Sequence, residues 1–155
     1  MMVSRVKGSF PGVTGTITID EENFGNSSAE VEIDVSTITT RDEKRDEHLR
    51  SADFFNVEAH PMMRFASTGV KSVDDDEFKL AGDLTISGIT MPVELKVERT
   101  GTGVSPWGTT VAGFEAETRI SRKDFGLTWN VALEAGGFMV GDEIKIHLDI
   151  EAIQQ

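Results

Sequence analysis

A chain of 155 residues without a single cysteine is long enough to bury a core of its own, and it excludes disulfides, thiolate metal sites and cysteine nucleophiles. Its 27 acidic against 15 basic side chains leave a formal charge of −12. That balance argues against nucleic acid or an anionic membrane surface as partner, because both need clustered cations. The one basic cluster, Arg41, Lys44, Arg45 and Arg50, is diluted by Asp42, Glu43, Asp46 and Glu47. No apolar run approaches the ~20 residues of a membrane helix. The start, Met1 to Gly8, has no apolar stretch of signal-peptide length. The chain therefore reads as one domain, residues 1–155, placed in the cytoplasm as it stands.

In chain order, the dominant pattern is alternation with a period of two. Thr16-Ile17-Thr18-Ile19 is the first strand signal, and Phe24-Gly25-Asn26-Ser27 the first turn. Ala29-Glu30-Val31-Glu32-Ile33-Asp34-Val35 alternates again. Thr40-Arg41-Asp42-Glu43 then breaks the rhythm with the spacing of a capping box, Thr40 as the cap, and helix formers run on to about Ala52. Asp46 and Arg50 stand at i,i+4 with the acid first, which favours a helix slightly. This helix, over about 40–52, has few apolar residues before Leu49. It is expected to pack through its C-terminal end, by Leu49, Phe54 and Phe55, either as a lid or as a plain surface connector.

Beyond it, Asp74-Asp75-Asp76 marks a turn, and Leu80, Gly82, Leu84 and Ile86 share one strand face. Ser87-Gly88 is the next turn, followed by the alternating strand Val93-Glu94-Leu95-Lys96-Val97-Glu98. Gly101-Thr102-Gly103 reads as a further turn, and Phe114, Ala116, Thr118 and Ile120 as one face of another strand. Gly136-Gly137 precedes the clearest alternation, Ile144-Lys145-Ile146-His147-Leu148-Asp149-Ile150-Glu151. Strands that are wet on one side and apolar on the other belong to antiparallel sheets. Many of them, with short turns and one helix, predict an all-β barrel or sandwich.

Chemistry is sparse. His48, His60 and His147 read as ordinary surface histidines, without a second His at metal-ligand spacing. The run Asp74-Asp75-Asp76-Glu77 lacks the alternating ligands and central Gly of a calcium loop. No nucleophile elbow, phosphate loop or dinucleotide fingerprint occurs. What stands out is apolar: nine Phe, two Trp, six Met and no Tyr. An interior without Tyr offers few hydrogen-bonding anchors. Such a barrel interior either fills itself with side chains or holds one small ligand.

The run Arg45-Asp46-Glu47-His48-Leu49-Arg50-Ser51-Ala52-Asp53-Phe54-Phe55 resembles the signature of the YceI-like, polyisoprenoid-binding family. Pro61-Met62-Met63-Arg64-Phe65, the segment Gly82 to Val93, Ser121 to Trp129, and Gly136 to Asp142 resemble its later motifs, in the right order. The resemblance covers nearly the whole chain. It implies a lipocalin-like antiparallel barrel of about eight strands. It implies a long isoprenoid chain, of a quinone or a polyprenyl lipid, held in the lumen for storage, transport or stress protection, and no enzymatic activity. From the residues themselves, no cofactor and no metal site is expected.

Parity within the strands then names the lining as Phe10, Ile17, Val31, Ile33, Phe65, Leu84, Ile86, Leu95, Phe114, Ile146 and Leu148. Phe54, Phe55 and Trp129 are expected near a mouth. The competing readings are a structural or interaction barrel with a filled core, and an enzyme using carboxylates at the barrel mouth.

The chain departs from the family pattern in three places. Position 87 is Ser where relatives often carry His, and position 60 is His where Tyr is usual. Family members generally begin with one more strand before the segment matching Met2 to Phe10. Either the start was placed at an internal Met, or the first strand is missing. In the second case two unpaired edges favour a homodimer. In the first, a lost signal segment would direct the protein to the periplasm or outside the cell.

Overall fold

Alternating sequences become strands because only the extended backbone puts every second side chain on one face. The computed structural model describes residues 8–20, 22–74, 76–127 and 142–154. Within them lie β1 (Val13–Thr18), β2 (Ser28–Asp34), α1 (Glu43–Arg50), β3 (Met62–Ser72), β4 (Glu77–Ile86), β5 (Ile89–Val104), β6 (Thr110–Ser121) and β7 (Glu143–Ile153). The seven described strands form one sheet in sequence order, every neighbour antiparallel. The all-β, lipocalin-like antiparallel architecture with one helical insertion is as expected. Among the described residues no ladder joins β1 to β7.

The registers place the apolar residues on one inner face. Val31 lies opposite Phe65, Phe65 opposite Leu84, Val97 opposite Ala116, and Ala116 opposite Leu148. The outer face carries cross-strand ion pairs: Arg64–Glu32 at 3.4 Å, Arg119–Glu143 at 2.6 Å and Lys145–Glu117 at 2.7 Å. Such exposed pairs contribute little each, but they fix which face is wet.

Two glycines are required by geometry. Gly88 closes the β4–β5 hairpin with φ 78°, next to Ser87 at φ 50°. Positive φ at both central residues is the turn whose twist suits a two-residue hairpin. A Cβ on Gly88 would also stand 2.8 Å from the His60 ring, so positions 60 and 88 are in contact. A Cβ on Gly82 would come within 2.5 Å of the Phe65 ring, which lies across this point of β4.

Three local expectations are corrected. The helix is shorter than 40–52 and its cap lies two residues later, at Asp42, which accepts from the Arg45 amide at 3.2 Å. Thr40 is buried instead, and its amide and hydroxyl donate to the Asp46 carboxylate at 2.8 and 2.5 Å. That bond, rather than a pairing with Arg50, is the use of Asp46, and no ion pair with Arg50 forms among the described residues. The segment Gly101-Thr102-Gly103 is not a turn. It lies inside β5, just past a bulge between Arg99 and Gly101, and the chain reverses at Ser105–Thr109, where the Ser105 amide donates to the Thr109 carbonyl. Glycine in a strand marks a bulge as readily as a turn.

Candidate functional site: the inner face of the sheet

The inner face is built unevenly. At the end carrying α1 it is filled. Val35 and Phe125 are each 1% exposed, and Ile86 and Leu127 each 3%. Val35 starts a short 3-10 turn capped by Asp34, and its amide donates to the Pro61 carbonyl at 2.9 Å. Phe125 and Leu127 flank Gly126, whose φ of 75° ends a second such turn, Arg122–Phe125. The buried Arg122 guanidinium donates to the Leu127 carbonyl, which pins this reversal onto the core.

The chain after α1 packs on the same end. Phe55 and Val57 lie against the core, and Phe55 meets Phe10 edge to face at 5.9 Å. The Ser87 hydroxyl donates to the Phe55 carbonyl at 3.0 Å, tying this segment to the β4–β5 hairpin. Arg45 in turn donates to the Thr40 hydroxyl and carbonyl at 2.9 and 3.0 Å. The insertion is therefore anchored at its N-terminal end by the Thr40–Asp46–Arg45 network and at its C-terminal end by Phe55. The segment after the helix packs on the core through Phe55 and Val57, while no residue of α1 itself, Leu49 included, is part of that core.

The expected lining residues fall into groups. Phe65, Leu84, Ile86 and Leu95 belong to the buried core, and Phe10, Val31, Ile33, Phe55, Ile146 and Leu148 pack against it half-buried. Phe114 is buried on the same face, toward the end away from α1. Ile17 is half-buried on β1, opposite Ala29. Phe54 is half-buried and rests edge to face on His48 at 5.1 Å, outside the core. Trp129 lies outside the described residues.

Sequence reading missed several residues of this face. Phe78, Val97 and Ile150 share the parity of Leu80, Leu95 and Leu148, so their signal was present. Val35 continues the parity of Val31 and Ile33, whereas Phe125 and Leu127 sit at a turn, where alternation gives no parity to read. Arg99 was missed because a charge was not looked for on an apolar face, although it follows Val93, Leu95 and Val97 in step.

Along β7 every apolar residue from Ile144 to Ile150 is only half-buried. The same holds for Ile17 on β1 and for Val31 and Ile33 on β2. The central strands bury Phe65, Leu84, Leu95 and Ala116 and leave Leu80, Met91, Val93 and Val97 half-buried. The unbroken half-buried apolar row is that of β7, joined by Ile17, Val31 and Ile33 on β1 and β2.

Several titratable groups lie on the outside. Glu115, His147 and Asp149 gather on the outer face of β6 and β7, all exposed, with His147 and Asp149 3.2 Å apart. His48 pairs with Asp53 at 2.9 Å. Glu117 is held below the usual carboxylate range by the Lys145 hydrogen bond and then by its charge. Asp142 is held low chiefly by the Ser121 hydroxyl, at 2.6 Å.

Comparison with known proteins agrees with this architecture. A family model described as the YceI-like domain matches residues 1–152. The protein YceI of Escherichia coli O157:H7 is 40% identical over 152 residues, covering 98% of this chain and 76% of that protein. The YceI protein of Salmonella arizonae is 38% identical over the same span. The crystal structure of a Campylobacter jejuni YCEI protein superposes with a TM-score of 0.85 at 27% identity, covering 100% of this chain and 88% of that one. BcnA of Burkholderia cenocepacia shares the fold, with a TM-score of 0.82 at 21% identity over 97% of this chain and 89% of its own. The chain belongs to the YceI-like family.

Proposed function

We propose that this protein is a binding protein, not an enzyme, and that it holds a long isoprenoid-type chain against the inner face of its sheet. The observation that carries this reading is the half-buried apolar lining of β7, β1 and β2 facing a filled central core. Soluble proteins rarely leave a contiguous apolar surface reachable without a partner for it. Family membership supports the same ligand class.

The energetics suit such a ligand. Each buried methylene contributes about 0.8 kcal/mol, so about ten buried carbons supply ~8 kcal/mol. That offsets the lower part of an association cost of roughly 4–15 kcal/mol. No dense set of polar contacts is required.

Organic extraction of the purified protein followed by mass spectrometry tests the reading. A co-extracted prenyl lipid in near-stoichiometric amount is the expected result. A clean blank from protein that still resists loading with added prenyl lipid would instead favour a barrel whose core is complete by itself.

A further inference from the structure

One charged side chain stands on the inner face of the seven described strands, and it is Arg99. It sits on β5 directly across from Phe114 of β6, immediately before the bulge at Gly101. Its guanidinium carbon lies 5.6 Å from the centre of the Phe114 ring. Its Nε is buried and has no hydrogen-bond partner. Among the described residues no carboxylate pairs with it, in a chain carrying 27 of them. The backbone holds its position firmly: the Arg99 amide donates to the Asp76 carbonyl at 2.8 Å.

A buried donor without a partner is costly, and here the donor is the Nε of a half-buried side chain. Evolutionarily cheap alternatives exist, since any apolar residue would continue the series Val93, Leu95, Val97. The cation–π contact with Phe114 leaves the Nε–H without an acceptor. A planar fork of donors at the end of an apolar face suits one ligand chemistry, an oxyanion attached to a long apolar chain.

We propose that Arg99 is the head-group anchor of the lumen and that the ligand is an anionic amphiphile, with a carboxylate or phosphate at Arg99 and its chain running toward the α1 end. This inference rests on the lumen being a lipid site and adds the charge of the head group and its place. Arg99 lies away from the filled end, so the apolar tail extends from it along the half-buried faces of Ile150 and Leu148. Polarity and direction of the bound molecule follow from one residue.

The test uses the full chain, with cis-parinaric acid as a fluorescent anionic probe and its methyl ester as the neutral match. The acid binds the unaltered protein at least about tenfold more tightly than the ester, a factor equal to ~1.4 kcal/mol. In Arg99→Met the ratio of the two affinities collapses toward one, and in Arg99→Lys, which keeps the charge but loses the fork, it lies between. Equal binding of acid and ester by the unaltered protein overturns the Arg99 assignment while leaving the lipid site standing, and that comparison holds whether or not the variants fold. A preference for the acid that survives in a folded Arg99→Met places the anionic site elsewhere and also overturns it. Binding of neither probe removes the lipid reading itself, and the anchor with it. Phosphate-headed lipid competing for the acid more strongly than free fatty acid does would identify a phosphate as the natural head group.

Discussion

The two ends of the sheet are built from the same alternating strands yet differ in how they finish. At the α1 end, turns rather than strands supply the closing residues: Val35, Phe125 and Leu127 are driven below 4% exposure. At the other end the strands run on into charged or open positions, with Arg99 on the inner face and Val104 and Trp107 71% and 87% exposed near the β5–β6 reversal.

Substitutions separate the two ends. The largest loss of stability is expected from Phe125→Ala at the filled end, about 3–5 kcal/mol, because a buried ring is removed from a site that cannot collapse. Equilibrium urea unfolding measures it. Asp46→Ala comes next. It strands the Thr40 amide and hydroxyl and costs about 1–3 kcal/mol, with earlier hydrogen exchange in residues 40–57 than in β4. Leu148→Ala, on a half-buried lining position, costs less in stability than Phe125→Ala, yet weakens prenyl-lipid binding more than its unfolding free energy would suggest.

The smallest effect is electrostatic and lies on the outer face. The Glu117 carboxylate is held low by Lys145, so its native-state pKa is depressed. A depressed carboxylate adds stability above its unfolded pKa, and that increment is lost as pH falls through the native value. Lys145→Met is therefore slightly destabilising at neutral pH, and the difference from the unaltered protein fades as pH falls below the ordinary glutamate range and through the depressed native value. Added salt shrinks it at any pH. Thermal melts across pH resolve both trends.

Much of this was legible in the sequence because strand parity is a strong local rule. The pairs Val31–Phe65, Phe65–Leu84 and Ala116–Leu148 follow from counting by twos once the strands are recognised. The capping position was not, because Thr40 and Asp42 are both good caps and only tertiary contact decides between them. Here the buried Asp46 claims Thr40 and leaves the helix to Asp42. The glycines at 101 and 103 misled for a related reason, since a bulge and a turn use the same residue. Parity also marked Arg99 as inward-facing, but a rule that sorts residues by hydropathy reads an inward charge as noise. It took the contact with the Phe114 ring and the unpartnered Nε to give that position a meaning.

The central claim is that an apolar chain occupies the inner face between β7 and β2. Methyl-resolved NMR with added geranylgeraniol tests it directly. The account predicts saturable shifts at Ile146, Leu148, Val31 and Ile33, with Val73 and Ile153 on the outside unmoved. Shifts confined to Val73 and Ile153, or none at any inner-face methyl, would contradict it.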